Sequence, residues 1–238
     1  MPLAADVAGA VVLKLVLLVA AMVAFPAITT QLTIRQRAWI GAWIPERLVG
    51  RCGHSNESSA ISTLRNVSSS QAQFQASAVL DEDADGAGEF GTFHEMSGVA
   101  AVRGTRAVLD PPVLSGAFRT FTASGEVARG GYLFRMWLVG KGGTWTGETA
   151  SGLAAGVVHP KTSASRWRCS AWPAGYDRTG LRTFSIDETG GIWTTEASAY
   201  SGTGGGPAPD AAAPAAATLP ASAGSVTGPD GNVWRRVN

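Results

Sequence analysis

The stretch GYLFRMWLV, Gly131–Val139, alternates strictly. Tyr132, Phe134, Met136 and Leu138 fall on one side, and Leu133, Arg135, Trp137 and Val139 on the other. A period of two is the mark of a strand, because successive side chains of an extended chain point to opposite faces. SRWRCSAWP, Ser165–Pro173, repeats the pattern: Trp167, Cys169 and Ala171 face one way, and Arg166, Arg168 and Ser170 the other. Pro173 has no N–H to give a ladder and ends that strand. GLRTFSIDETGGIWTTEA, Gly180–Ala197, reads as two short strands joined by the turn DETGG, a hairpin signal. The expectation is an antiparallel sheet containing Tyr132–Val139, Arg166–Trp172, Arg182–Asp187 and Ile192–Thr195.

Upstream the period changes. In SNESSAISTLRNVSSSQAQFQASAVL, Ser55–Leu80, the apolar residues Ala60, Leu64, Val67, Phe74 and Ala78 recur at helical spacing, against a back of Ser, Asn and Gln. Ser55 or Asn56 can cap this helix, with Glu57 in the first turn, where the helix dipole favours an acid. One narrow apolar stripe is enough to lay it on a sheet, so a helix over about Ser55–Val79 is expected there. Ile61, Leu64, Val67, Phe74, Phe134, Leu138 and Phe184 should belong to the core.

The N-terminus has another character. VAGAVVLKLVLLVAAMVAF, Val7–Phe25, is apolar except for Lys14 and approaches the length that crosses a bilayer as a helix. Lys14 near its middle costs roughly 2.5–3.5 kcal/mol on insertion scales, which snorkelling reduces. A membrane anchor is the favoured reading; a cleaved signal peptide and a buried core helix are the alternatives. The resulting division is residues 1–30 as anchor or signal helix, 31–54 as an irregular stalk, and 55–200 as a globular domain. Residues 201–226, rich in Ala, Gly, Pro and Ser, read as low complexity without a core, and 227–238 as a last strand or tail.

Composition narrows the function. Of 238 residues only 16% are charged and the net charge is +1, so nothing drives the chain toward nucleic acid. Two cysteines, Cys52 and Cys169, can build neither a disulfide framework nor a zinc site; one bridge and two free thiols are both open. His54, His94 and His159 are scattered without metal-ligand spacing, and no Gly-x-Ser-x-Gly elbow occurs. The glycine-rich runs VGKGGTWTG and SGTGGG are loops or linkers, since neither joins a strand to a marked helix. Trp137, Trp145, Trp167, Trp172 and Trp193 can line a sugar-binding face or simply pack on the sheet.

The remaining candidate is DEDADGAGEF, Asp81–Phe90, with five acids in one loop. Asp81, Asp83 and Asp85 alternate and Gly86 follows. That is how a D-x-D-x-D-G calcium loop opens, with hard oxygen ligands at alternate positions and a glycine at the sharp turn. In this scheme the Ala87 carbonyl and Glu89 supply the next ligands. The scheme departs from an EF-hand at its twelfth position, which is Thr92 rather than a glutamate. A shorter loop closed by Glu89 or Glu95 can still hold calcium; an exposed acidic turn facing water is the other reading.

NESSAISTLRNVSSSQAQFQ, followed by GYLFRMWL and WRCSAWPAGYDRTGLRTFSIDETGGIW, resembles type IV pilin-like proteins, including the pseudopilins of type II secretion. The likeness covers roughly Ser55–Glu196, in the order and spacing of a helix, a Gly-Tyr strand, a strand ending in Pro and an Arg-x-Phe strand. It does not reach the N-terminus, where no Gly-Phe processing site and no following glutamate occur. The resemblance implies an α+β fold: an N-terminal apolar helix, then a helix packed on an antiparallel β-sheet. It implies a non-enzymatic subunit of a cell-envelope filament or secretion apparatus, anchored once in the cytoplasmic membrane with its head outside. Its partners would be other pilin-like subunits, the assembly machinery and the membrane. Some major pseudopilins bind calcium, in a loop near the sheet, so their ligands do not transfer to Asp81–Glu89. The alternative function is an envelope-exposed, lectin-like module using the tryptophan-rich sheet face.

Overall fold

The structure, a computed structural model, describes residues 46–154, 156–212 and 224–237. Its frame is one antiparallel sheet. The strands are β1 (Val127–Arg129), β2 (Tyr132–Val139), β3 (Trp145–Gly147), β4 (Trp167–Pro173), β5 (Thr183–Asp187), β6 (Ile192–Thr195), β7 (Ser225–Thr227) and β8 (Val233–Arg236). They lie in the order β1-β2-β4-β5-β6-β8-β7, with β3 sharing the β1 edge of β2. β2 and β4 run side by side from Tyr132 opposite Pro173 to Leu138 opposite Trp167. One long helix, α1 (Glu46–Ala76), accompanies the sheet, with two single-turn helices, α2 (Phe93–Met96) and α3 (Pro160–Ser163).

This corrects the expected fold class. An α+β pilin-like fold led by an apolar helix is not what the described residues show. They form mostly an eight-stranded antiparallel sheet with one long helix. Four strands lie within a residue of the expected segments, and β8 falls within 227–238, read as a last strand or tail. The sheet is wider by β1, β3 and β7, each three residues long, too short to show a period of their own. They exist because a longer neighbour offers them a ladder. The proposed anchor helix, Val7–Phe25, lies outside the described residues. Among the described residues no helix is long and apolar enough to cross a membrane.

The inner face of the sheet holds the main core. Tyr132, Phe134, Met136, Leu138, Cys169, Phe184 and Ile186 join Ala60, Leu64, Val67 and Phe74 of α1 in one buried cluster. Each Val, Leu, Ile, Met or Phe among them contributes about 1.5–3 kcal/mol by leaving water. Ile61 packs at the margin of this cluster, half-buried. The irregular stretch after α1 closes the same core with Phe90, Phe93, Met96, Leu114 and Phe118. Cys169 is a buried free thiol, its ionisation pushed up by desolvation and then by the Glu148 charge.

α1 also corrects the cap reading. Ser55 and Asn56 lie inside the helix rather than at its start. Glu57 is therefore not held by a helix dipole; it reaches across to the sheet. Its carboxylate accepts the Leu181 N–H at 3.0 Å, the Arg182 N–H at 3.2 Å and the Arg182 Nε–H at 2.8 Å, and the Asn56 side chain donates to the Thr179 carbonyl at 2.9 Å. Burial alone would raise the Glu57 carboxyl, but these donors hold it below its ordinary value.

The outer face is covered in part by residues expected to bury nothing. The chain from Ser201 to Ala212 lies over β4 to β6, where Trp172 Nε1–H donates to the Gly202 carbonyl at 2.9 Å. A Cβ on Gly206 would stand 2.6 Å from the Trp172 ring, so only glycine allows this approach. Ala211, Ala212 and Trp234 form a second small core with Trp193, Tyr200 and Val226. Small residues serve here because they let backbone lie flat on large indoles.

Candidate functional site

The acidic loop leaves the C-terminus of α1 through Ala78, which takes a left-handed φ of 48°. Asp81 organises the turn. Its Oδ1 accepts the Asp85 N–H at 3.2 Å and its Oδ2 the Gly86 N–H at 3.1 Å, while Asp85 Oδ1 accepts the Ala87 N–H at 2.8 Å. These local bonds are the ones short polar side chains make in turns. Gly86, at φ 84°, supplies the conformation the turn demands. The consequence is a convergence: Asp81, Asp83 and Asp85 each present a carboxylate oxygen within 4.8 Å of the others. Asp83 and Asp85 are exposed and Asp81 half-buried. Three carboxylates this close repel unless a cation or water compensates, so this cluster could hold a metal ion.

Of the other two expected ligands, Glu89 is placed differently. Glu89 is wholly buried and turned inward; its carboxylate accepts the Glu82 N–H at 2.7 Å and the Ser163 hydroxyl at 3.3 Å. Burial raises its carboxyl above the ordinary value. Glu89 thus fastens the base of the loop to α3. Ala87 is exposed, and its N–H bond to Asp85 leaves open the carbonyl expected as a ligand. Glu95, the other closing candidate, caps α2: it accepts the Thr92 N–H while the Thr92 hydroxyl accepts the Glu95 N–H, a capping box. Glu95 also pairs with Arg103 at 2.9 Å. Both glutamates fit the acid-rich pattern in sequence but serve packing, because each finds backbone donors in the interior.

A second constellation was invisible in the sequence. The His94 ring, four-hundredths exposed as a residue (4%), points Nδ1 at the Glu148 carboxylate. Glu148 also accepts the Phe93 N–H at 2.5 Å and the His94 N–H at 3.1 Å. His94 Nε2 lies 3.3 Å from the Ala150 carbonyl, and its ring stacks on Phe121 with centroids 3.6 Å apart. Burial disfavours the imidazolium, but Glu148 outweighs it and raises His94 above its ordinary value. The pair has the composition of an acid–base dyad without its access: both ring nitrogens are occupied and one ring face is covered. No motif links residues 54 apart, so only the fold could reveal it.

The expected tryptophan face is split. Trp167 points into the inner core, and Trp172 is covered by the Gly202–Gly206 chain. Trp193 packs in the second core. Trp137 and Trp145 remain half-exposed, each under arginine: Arg135 stands 4.4 Å over Trp137, and Arg166 and Arg168 each 5.1 Å over Trp145.

No protein family, characterised protein or solved structure matches this chain.

Proposed function

We propose that this chain is a non-enzymatic, membrane-anchored subunit of a cell-envelope filament or secretion apparatus, related in role to the pilins and pseudopilins. One observation supports the reading above the others. From Glu57 onward α1 is fastened to the rest of the domain, by Glu57 to Leu181 and Arg182 beside β5, by its apolar stripe to the sheet, and by Gln71, which exchanges two hydrogen bonds with the Gly91 backbone. A helix fixed in this way transmits a pull on its N-terminal end into the whole sheet. That is what an anchored, outwardly displayed subunit requires. The apolar run Val7–Phe25 would be the anchor, in the cytoplasmic membrane, and the sheet the head outside it. Partners would be further subunits and the assembly machinery.

Calcium is the ion this reading favours at Asp81, Asp83 and Asp85, because hard carboxylate oxygens suit a hard cation and an exposed loop tolerates its flexible geometry. Calcium would raise the melting temperature, since a ligand of the native state alone stabilises it by mass action.

The test of the role is fractionation. Full-length chain should partition with membranes, its mature N-terminus should place the apolar run before the head, and sheared surface material should contain filaments carrying it. Uncleaved full-length protein that stays in solution without detergent would overturn the reading.

A further inference from the structure

The buried His94 ring stands between two acceptors: Nδ1 faces the Glu148 carboxylate, and Nε2 the Ala150 carbonyl at 3.3 Å. A neutral imidazole can donate to only one of them; the imidazolium donates to both. We propose that His94 is a pH-operated clasp, which holds the turn Thr149–Gly152 against α2 when doubly protonated and releases that turn when Nε2 loses its proton. The inference goes beyond the subunit reading and does not depend on it.

The two bonds differ in kind. At Nδ1 the acceptor is a buried carboxylate, itself fixed by the Phe93 and His94 N–H groups, so that bond is charge-assisted and keeps its proton. At Nε2 the acceptor is a neutral carbonyl on an exposed residue. The proton therefore leaves from Nε2. A nitrogen lone pair then faces a carbonyl lone pair, and the contact turns from attraction to repulsion. The turn is built to move as a unit. Thr149 and Gly152 exchange two backbone hydrogen bonds of 3.0 Å, and the Thr149 hydroxyl donates to the Gly152 carbonyl at 2.8 Å. Its tip, Ala150 and Ser151, is exposed, so displacing it does not require the sheet to open. Gly152, at φ 90°, lies beside the imidazole: a Cβ there would stand 3.7 Å from His94 Cγ. Thr149, Ser151, Gly152 and Leu153 also line an open cleft of about 270 Å³. Release of the turn thus reshapes that cleft.

Other ionisable groups surround the ring, and Glu148 alone bonds to it. Glu95, on α2 itself, favours the imidazolium from a distance, and its own charge is paired with Arg103 at 2.9 Å. Arg135 of β2 reaches the Glu148 carbonyl at 3.5 Å. Arg119 donates to the Ser97 carbonyl at 2.9 Å, at the far end of α2. The Cys169 thiol of β4 is pushed up by burial and then by Glu148, and stays protonated. Glu126, beside the Gly125 backbone that packs on Glu148, is occupied by the Thr122 hydroxyl and the Gly204 N–H. Phe121, stacked on the ring, carries no charge. The sign follows from Glu148, which outweighs burial and raises His94 above its ordinary value. The clasp is closed below that raised value and opens as pH rises through it.

The experiment follows the full-length chain in detergent from mildly acid to alkaline pH with three readouts. Nitrogen NMR of the histidine rings should show Nε2 of His94 deprotonating while Nδ1 keeps its proton. Carbethoxylation, located by mass spectrometry, reports access to the freed nitrogen. Above the midpoint His94 should react within about tenfold of the exposed His54, as a locally opened site does. Amide exchange should show the β2–β4 ladder equally protected on both sides of the midpoint, which separates release of one turn from unfolding. Glu148→Gln removes the charge that holds the proton and should lower the midpoint by about 1–3 pH units. In His94→Asn, which cannot titrate, the Ala150 and Ser151 resonances should lose their pH dependence. Loss of the Nδ1 proton first, a His94 that stays unreactive above its midpoint, a ladder that opens with it, a midpoint unmoved by Glu148→Gln, or an Ala150 titration that survives in His94→Asn would each overturn the proposal.

Discussion

Glu148 and Asp83 carry the same functional group, and the fold treats them in opposite ways. Glu148 is sealed among two backbone N–H groups and a histidine. Asp83 stands exposed in a turn, near two other carboxylates. Glu57 and Glu89 belong with Glu148, Asp85 with Asp83. A buried carboxylate is tolerable only when several donors replace its water, and once they do, the group becomes a strut between distant segments. An exposed one keeps its water and stays free to exchange it for a cation. The difference separates architecture from candidate chemistry in this chain.

The largest effect that would break this comparison lies at Glu148. Glu148→Ala leaves two buried amides and the His94 ring without their acceptor, and should cost about 3–5 kcal/mol in urea unfolding. A cost near that of a surface change would show that the pocket readmits water and that the carboxylate is no strut. Leu64→Ala, which empties a fully buried site on α1, should cost about 2–5 kcal/mol and calibrates the scale against a purely apolar loss.

The next test is pH, and the two buried pairs have opposite signs. His94 has its folded-state pKa raised above 6.5. Its pair with Glu148 therefore contributes fully below 6.5 and is lost as pH rises through the raised value. Glu57 is depressed below 4.5, so its contribution is present above 4.5 and lost as pH falls through the lowered value. Urea midpoints followed from acid to mildly alkaline pH should peak between these limits. His94→Asn should flatten only the alkaline limb, and Glu57→Gln only the acid one. A variant that flattened the wrong limb would reverse the assignment.

The smallest effect is expected at the exposed cluster. Asp83→Asn should change stability without metal by no more than about 0.5 kcal/mol, the scale of a surface substitution. It should nonetheless remove the rise in melting temperature that calcium produces. If the parent chain shows no thermal shift at millimolar calcium, the loop is a solvated turn and the contrast with Glu148 rests on burial alone.

Four strands, the helix and most of its inward stripe were legible in the sequence, because alternation and helical spacing are local patterns that burial on one face imposes. So was the acidic triad, since Asp81, Asp83 and Asp85 are brought together by one turn whose bonds span five residues or fewer. What the tertiary structure decided is of a different kind. It started α1 before Asn56, and so turned Glu57 from a helix-end charge into a tie to Arg182. It drew Glu89 and Glu95 inward, away from the triad, because donors were waiting there: the Glu82 N–H of the loop itself, the Ser163 hydroxyl of α3 and the Thr92 N–H at the start of α2. It paired His94 with Glu148 and laid an alanine- and glycine-rich segment over Trp172 and Trp234. Each of these depends on a partner far along the chain. A residue's own neighbours determine its periodicity and turn chemistry; only the packed fold determines whether its charge meets donors or water.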